Sequence, residues 1–318
     1  MPAITSSAPG KVILFGEHAV VYQRPAIAVP VQQVQARVVI AAEPLAPAGR
    51  VRIEAPDIDL WSDFDSLSPD HPIRMTLQSI FSELGVQKPP AFLLRLSSTI
   101  PMASGLGSGT AVTVAMIRAT ANFLGQPLPD ERVSSLAFEV EKIYHGTPSG
   151  IDNTVIVYNM PVFFQRGTDH LTIEKFRVPV SFWLVIGDTG IRSATALAVG
   201  ELRQNWQANS AFYESLFDRI TNIVQHARRL IESGLPDDMG ALMLENHSLL
   251  QTIGVSSPEL DRLVEAAMAS GAYGAKLSGG GKGGNMIALT DLEHAGEVAE
   301  ALLAHGAANA VITEVHDR

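Results

Sequence analysis

Four polar or glycine-rich islands interrupt an otherwise apolar chain, and their residue types suit the handling of an anion. The central one is Thr99 to Ala111, TIPMASGLGSGTA, which carries no charged residue. It lies between AFLLRLSS, which reads as a strand, and AVTVAMIRATANFL, which reads as a buried helix. Gly105, Gly107 and Gly109 let the backbone turn and come close to a ligand. The N–H groups of a helix start, with roughly half a unit of positive charge from the dipole, favour a phosphate. No Gly-Lys-Ser/Thr ends the loop, so it is not a P-loop, and its G-x-G-x-G spacing is not the dinucleotide fingerprint. A plain structural turn is the competing reading.

Lys11 heads the apolar run KVILFG, with Glu17 and His18 just beyond its end. A lone lysine is more often solvated. Glu141 to Asp152 reads EKIYHGTPSGID, a tight irregular path directly after a helix. Glu141 taken alone suits a helix surface. Asp152 introduces the apolar run TVIVY, which reads as a buried strand, and its carboxylate is either hydrogen-bonded structure or a positioned base. The last island, GAKLSGGGKGGN from Gly274 to Asn285, has Lys282 inside its glycines but followed by Gly, so it too is no P-loop. Its amides could approach phosphate oxygens, or it could be a hairpin connection. Together the islands hold two phosphate loops, a lysine, a candidate base and a candidate metal carboxylate. That is a kit for phosphoryl transfer from a nucleotide, where catalysis is positioning plus charge neutralisation.

The segments that must carry these residues mix strands and helices without regular βαβ repetition, which favours α+β. Strands are expected at 11–16, 26–30, 35–43, 50–55, 154–158, 161–165, 171–178, 181–187, 273–277, 285–289 and 310–315. Helical spacing marks 73–84, 130–145, 210–233, 237–252, 258–270 and 294–305. In the second of these, Val133, Leu136, Ala137, Val140 and Ile143 form the apolar stripe. A chain of 318 residues suits two lobes, divided near Ser181. The net charge of −10 argues against a general nucleic-acid or anionic-membrane binder. With no cysteine there is no thiolate metal site and no Cys nucleophile. No signal peptide and no apolar run of about 18 residues is evident, so a soluble cytoplasmic protein is expected.

APGKVILFGEHAVVYQRPAIAV, PMASGLGSGTAVTVA and GAKLSGGGKGGNMIAL resemble the three signature motifs of the GHMP kinases, in the right order. The GEHAVVY form of the first motif, HGTPSGIDN, DTGIRSAT and ENHSLLQTIGVSSPELDRL are similar to the mevalonate-phosphorylating branch of that family. The resemblance implies a two-lobed α+β GHMP kinase fold. Residues 1–180 would be an N-terminal lobe like ribosomal protein S5 domain 2, and 181–318 a helix-rich C-terminal α/β-sandwich lobe. It implies transfer of phosphate from ATP to the 5-hydroxyl of mevalonate, with Mg²⁺, in isoprenoid biosynthesis.

Carried over by position, the resemblance implies Asp152 as the catalytic base and Lys11 as the alkoxide stabiliser. Glu141 and Ser108 would be the Mg²⁺ ligands. Gly109 stands where the family pattern has a second serine, so Thr110 rivals Ser108 for the metal. Lys11, Glu17, His18 and Asp152 would face the substrate. Pro101, Ala103, Ser104, Gly105, Leu106, Gly107, Ser108, Gly109 and Thr110 would wrap the ATP phosphates, and Gly279, Gly280 and Gly281 would close over them. A homodimer is compatible with the family, and no nucleic-acid or membrane partner is implied. The alternatives are another GHMP small-molecule kinase, such as a phosphomevalonate kinase or a mevalonate 3-kinase, and a non-catalytic nucleotide-binding regulator. Loss of Lys11, Glu141 or Asp152 would mark the last, and all three are present.

Overall fold

The computed structural model describes residues 3–101, 105–145, 149–167, 171–191 and 195–317. They form two compact units that interleave in sequence: Met1–Gly10, Val34–Pro101 and Gly107–Asn159 in the first, Lys11–Gln33, Met102–Leu106 and Met160–Arg318 in the second. Strands β1 (Ile4–Phe15) and β2 (Ala26–Ala42) pair and contribute residues to both. The two strands expected at 26–30 and 35–43 are thus one. Pro30 lies inside that strand.

In the first unit, β3 (Val51–Ala55) pairs antiparallel with β4 (Leu60–Asp63) and parallel with β5 (Phe92–Ser98). β2 lies antiparallel on β5, with Ala36 opposite Ser98 and Ala42 opposite Phe92. Buried residues alternate along β3 and β5, so one sheet face is covered. The helices are α1 (Pro72–Glu83), α2 (Ser108–Phe123), α3 (Asp130–His145) and α4 (Ile151–Tyr158). α2 packs against the other three and is buried nearly all round, as its alanine- and valine-rich sequence requires.

α4 corrects the expectation of a strand at 154–158. A short apolar run has no periodicity that separates a buried strand from a buried helix. Here Gly150 caps the helix, and the Thr154 hydroxyl donates to Gly150 O at 2.8 Å. Asn153 Nδ2 donates to Ser134 Oγ on α3 at 2.8 Å. With α2 and α3 covering it, apolar residues on every side are what a helix at this place needs.

In the second unit, the start of β2 pairs with β6 (Val162–Arg166), and β6 with β7 (Leu171–Lys175). A separate antiparallel sheet contains β8 (Phe182–Asp188), β9 (Gly274–Ser278), β10 (Asn285–Thr290) and β11 (Asn309–Val315), in the order β11-β8-β10-β9. Helices α5 (Thr195–Ala208), α6 (Ser210–Glu232), α7 (Met239–Thr252), α8 (Pro258–Ala269) and α9 (Leu292–Ala304) complete the unit. α5 is not among the helices that periodicity predicts. Every residue of β9 and β10 is buried, with α7 and α8 against β9 and α8 against β10. Among the described residues no helix is long and apolar enough to cross a membrane.

Candidate functional site

In the first unit the polar candidates gather at helix ends. Gly107 caps α2, and the first backbone bond of its opening turn runs from Ala111 N to Gly107 O at 2.9 Å. The N–H groups of Ser108, Gly109 and Thr110 precede that bond, so the helix offers the three-amide start that suits an anion. Thr110 is buried and its hydroxyl donates to Glu141 Oε1. Ser108 is half-buried and opens the helix.

Glu141 is 8% exposed and Ile143 52% exposed, the reverse of the surface and core positions their spacing suggests. The last turns of α3 meet the polar start of α2 rather than apolar core, so the carboxylate turns inward. Asp152, half-buried, lies in the first turn of α4, a few residues beyond the end of α3. Ala103 and Ser104 of the expected phosphate loop lie outside the described residues.

The second unit holds the other candidates. Lys11 is 8% exposed, within β1, and its backbone N–H donates to Leu106 O at 2.9 Å. After β1 the chain turns sharply at Gly16, φ 97°, where a Cβ would sit 2.4 Å from Pro25 O. Glu17 and His18 are both buried. His18 adopts φ 59°, ψ −47°, a costly backbone for a residue with a Cβ. Its Nε2 lies 3.1 Å from Gly280 O. A carbonyl only accepts, so Nε2 carries the proton and Nδ1 presents a lone pair. That nitrogen is buried, with no hydrogen-bond partner among the described residues.

Glu17 gives one carboxylate oxygen to Lys276: the two side chains are 1% and 0% exposed and form an ion pair, while the other oxygen, Oε2, is buried with no hydrogen-bond partner among the described residues. Burial pushes the Glu17 carboxyl up and the Lys276 ammonium down, each opposed by the other's charge. Lys276 is not among the residues that the motifs single out. The available signal was a lysine inside GAKLS, a strand otherwise without charge, where a buried cation needs a partner. Gly281 closes the loop after β9 at φ 70°, where a Cβ would meet Val255 O at 2.0 Å. The Lys282 N–H donates to Val255 O at 2.8 Å, and its ammonium pairs with Glu201 on α5, so this lysine points along the surface.

Burial, reinforced by the charge of Lys276 and only partly opposed by Gly280 O, lowers the His18 pKa to about 4. The ring is therefore neutral in the fold, and below about pH 6.5 the unfolded chain takes up the proton first. Stability present above pH 6.5 is lost as the pH falls to 4, by about 3 kcal/mol. Urea denaturation at both pH values should show that loss in wild type and not in His18→Gln. An equal loss in both would remove His18 as its source.

Residues 72–159 match the family model described as the GHMP kinases N terminal domain, and residues 227–308 that of the GHMP kinases C terminal. This chain is a GHMP kinase. Among its relatives, the mevalonate kinase of Thermococcus sibiricus is 34% identical over 319 residues, covering 94% of this kinase and 92% of that protein. The mevalonate kinase of Saccharolobus solfataricus is 30% identical, with 91% of each chain covered. A crystal structure of L. major mevalonate kinase in complex with R-mevalonate superposes with a TM-score of 0.84 at 30% identity, over 98% of this kinase and 95% of that chain. The mixed α+β architecture expected from the motifs is therefore the architecture of this GHMP kinase.

Proposed function

We propose that this GHMP kinase transfers the terminal phosphoryl group of ATP to the 5-hydroxyl of mevalonate, giving ADP and 5-phosphomevalonate. The observation that carries the reading is the 34% identity to a mevalonate kinase along nearly the whole of both chains. In this reading Asp152 accepts the proton of the attacking hydroxyl as the O–P bond forms, and Lys11 offers positive charge to the developing alkoxide. The start of α2 and the Gly279–Gly281 turn hold phosphate oxygens. The bare Nδ1 of His18 suits a hydroxyl donor on the substrate.

The donor set also fits Mg²⁺. Glu141 and a hydroxyl of Thr110 or Ser108 are hard oxygens, and the first two are in contact. Among the described residues there is no cluster of three or more acidic or histidine side chains that could hold a metal alone. That suits an ion which takes one or two protein oxygens and fills its shell with nucleotide phosphates and water. Bound there, Mg²⁺ would neutralise charge on the transferred phosphoryl group.

A coupled ADP-release assay, run with and without mevalonate, tests the reading. ADP release should require mevalonate, and label from the terminal phosphate should appear on the 5-hydroxyl. Release independent of mevalonate, or label on the 3-hydroxyl, would reject it.

A further inference from the structure

Two fully buried charges in the second unit take no direct part in the proposed reaction. Lys276 is the middle residue of β9, and its ammonium bonds Glu17 and donates to Leu277 O at 2.6 Å. The Phe15 ring centre is 5.9 Å away. A buried ion pair is a poor source of stability, since desolvation consumes most of the attraction and apolar residues of similar size do as well. The best-attested use of such a pair is to fix one register among several.

What this pair fixes is visible in its neighbours. Next to Glu17, His18 bonds Gly280 O. Two residues after Lys276, the Ser278 hydroxyl donates to Ile13 O at 2.7 Å. Between them, Leu277 N donates to His247 Nδ1 on α7 at 3.3 Å. Three side-chain bonds thus tie the first island to the strand and turn of the last, and the ion pair is the charged one of the three.

We propose that Glu17 and Lys276 form a positioning clamp that sets the register between His18 and the Gly279–Gly284 loop, holding that loop in the shape that receives nucleotide phosphate. The clamp acts through His18 and Gly280 and touches no reacting atom. It rests on the reading of the loop as a phosphate loop.

The test uses two double variants of the full chain, because either single substitution strands a buried charge. Glu17→Leu/Lys276→Met removes the charges and the bond, and Glu17→Gln/Lys276→Gln keeps a neutral hydrogen bond. The Leu/Met variant should fold with a melting midpoint near wild type. Its amides at 279–284 should exchange with deuterium about tenfold faster in the absence of substrates. Its KM for ATP should rise about tenfold while kcat changes less than threefold. The Gln/Gln variant should restore most of both. A folded Leu/Met variant with wild-type exchange and wild-type KM overturns the clamp, as does failure of both variants to fold, which would make the pair a folding element. If wild type does not phosphorylate mevalonate, the functional reading fails, whereas the exchange experiment still decides the clamp.

Discussion

Asp152→Asn is expected to lower kcat by about 10²–10⁴-fold while the affinity for ATP stays near wild type. The 5-hydroxyl of mevalonate is a poor nucleophile until its proton has somewhere to go, and an amide at this position cannot take it. The substitution is nearly isosteric. The half-buried residue in the first turn of α4 keeps its shape, and neither the Gly150 cap nor the bond from the Thr154 hydroxyl to Gly150 O is touched. Nucleotide titration and steady-state kinetics on the same preparation separate the two quantities. Turnover near wild type in Asp152→Asn would remove Asp152 as the base. A parallel loss of ATP affinity would point instead to a damaged phosphate site.

Lys11→Met is expected to cost about 10²–10³-fold in kcat/KM, the scale found when one preorganised stabiliser of transition-state charge is removed. Methionine matches the length of the lysine stem, so the nearly buried side chain can stay packed, and the backbone bond from residue 11 to Leu106 O does not depend on the side chain. The loss should fall mainly on kcat, because alkoxide charge develops only as the reaction proceeds. An unchanged kcat with a raised KM for mevalonate would make Lys11 a ground-state binding residue. Lys11→Arg is not a conservative control, because the planar guanidinium cannot place a compact charge where the ammonium sits.

The difference between what could be read along the chain and what needed the fold is clearest at Glu141. Helical spacing correctly predicts α3 over 130–145, because periodicity is a local property of the side chains. Which face of its last turns is covered depends on what packs there. Only the arrival of the α2 start, with Thr110, turns the carboxylate inward and leaves Ile143 exposed. The residues at 151–158 carry no periodic signal, and the cover from α2 and α3 makes them a helix rather than a strand. The pairing of Glu17 with Lys276 spans 259 positions, so no local pattern could announce it.

By itself the sequence determined the kind of protein. The glycine-bearing motifs in their order resemble those of the GHMP kinases, and the N- and C-terminal family models match the chain where that resemblance places them. Tertiary structure alone decided how they are used. It set Thr110 against Glu141 and committed Glu17 to Lys276. It also turned the Nε2 of His18 to Gly280 O, which leaves its other nitrogen as an acceptor. Burial and hydrogen-bond partners come from elements far apart in the chain, and they decide whether a charge is spent on the fold or kept for the substrate.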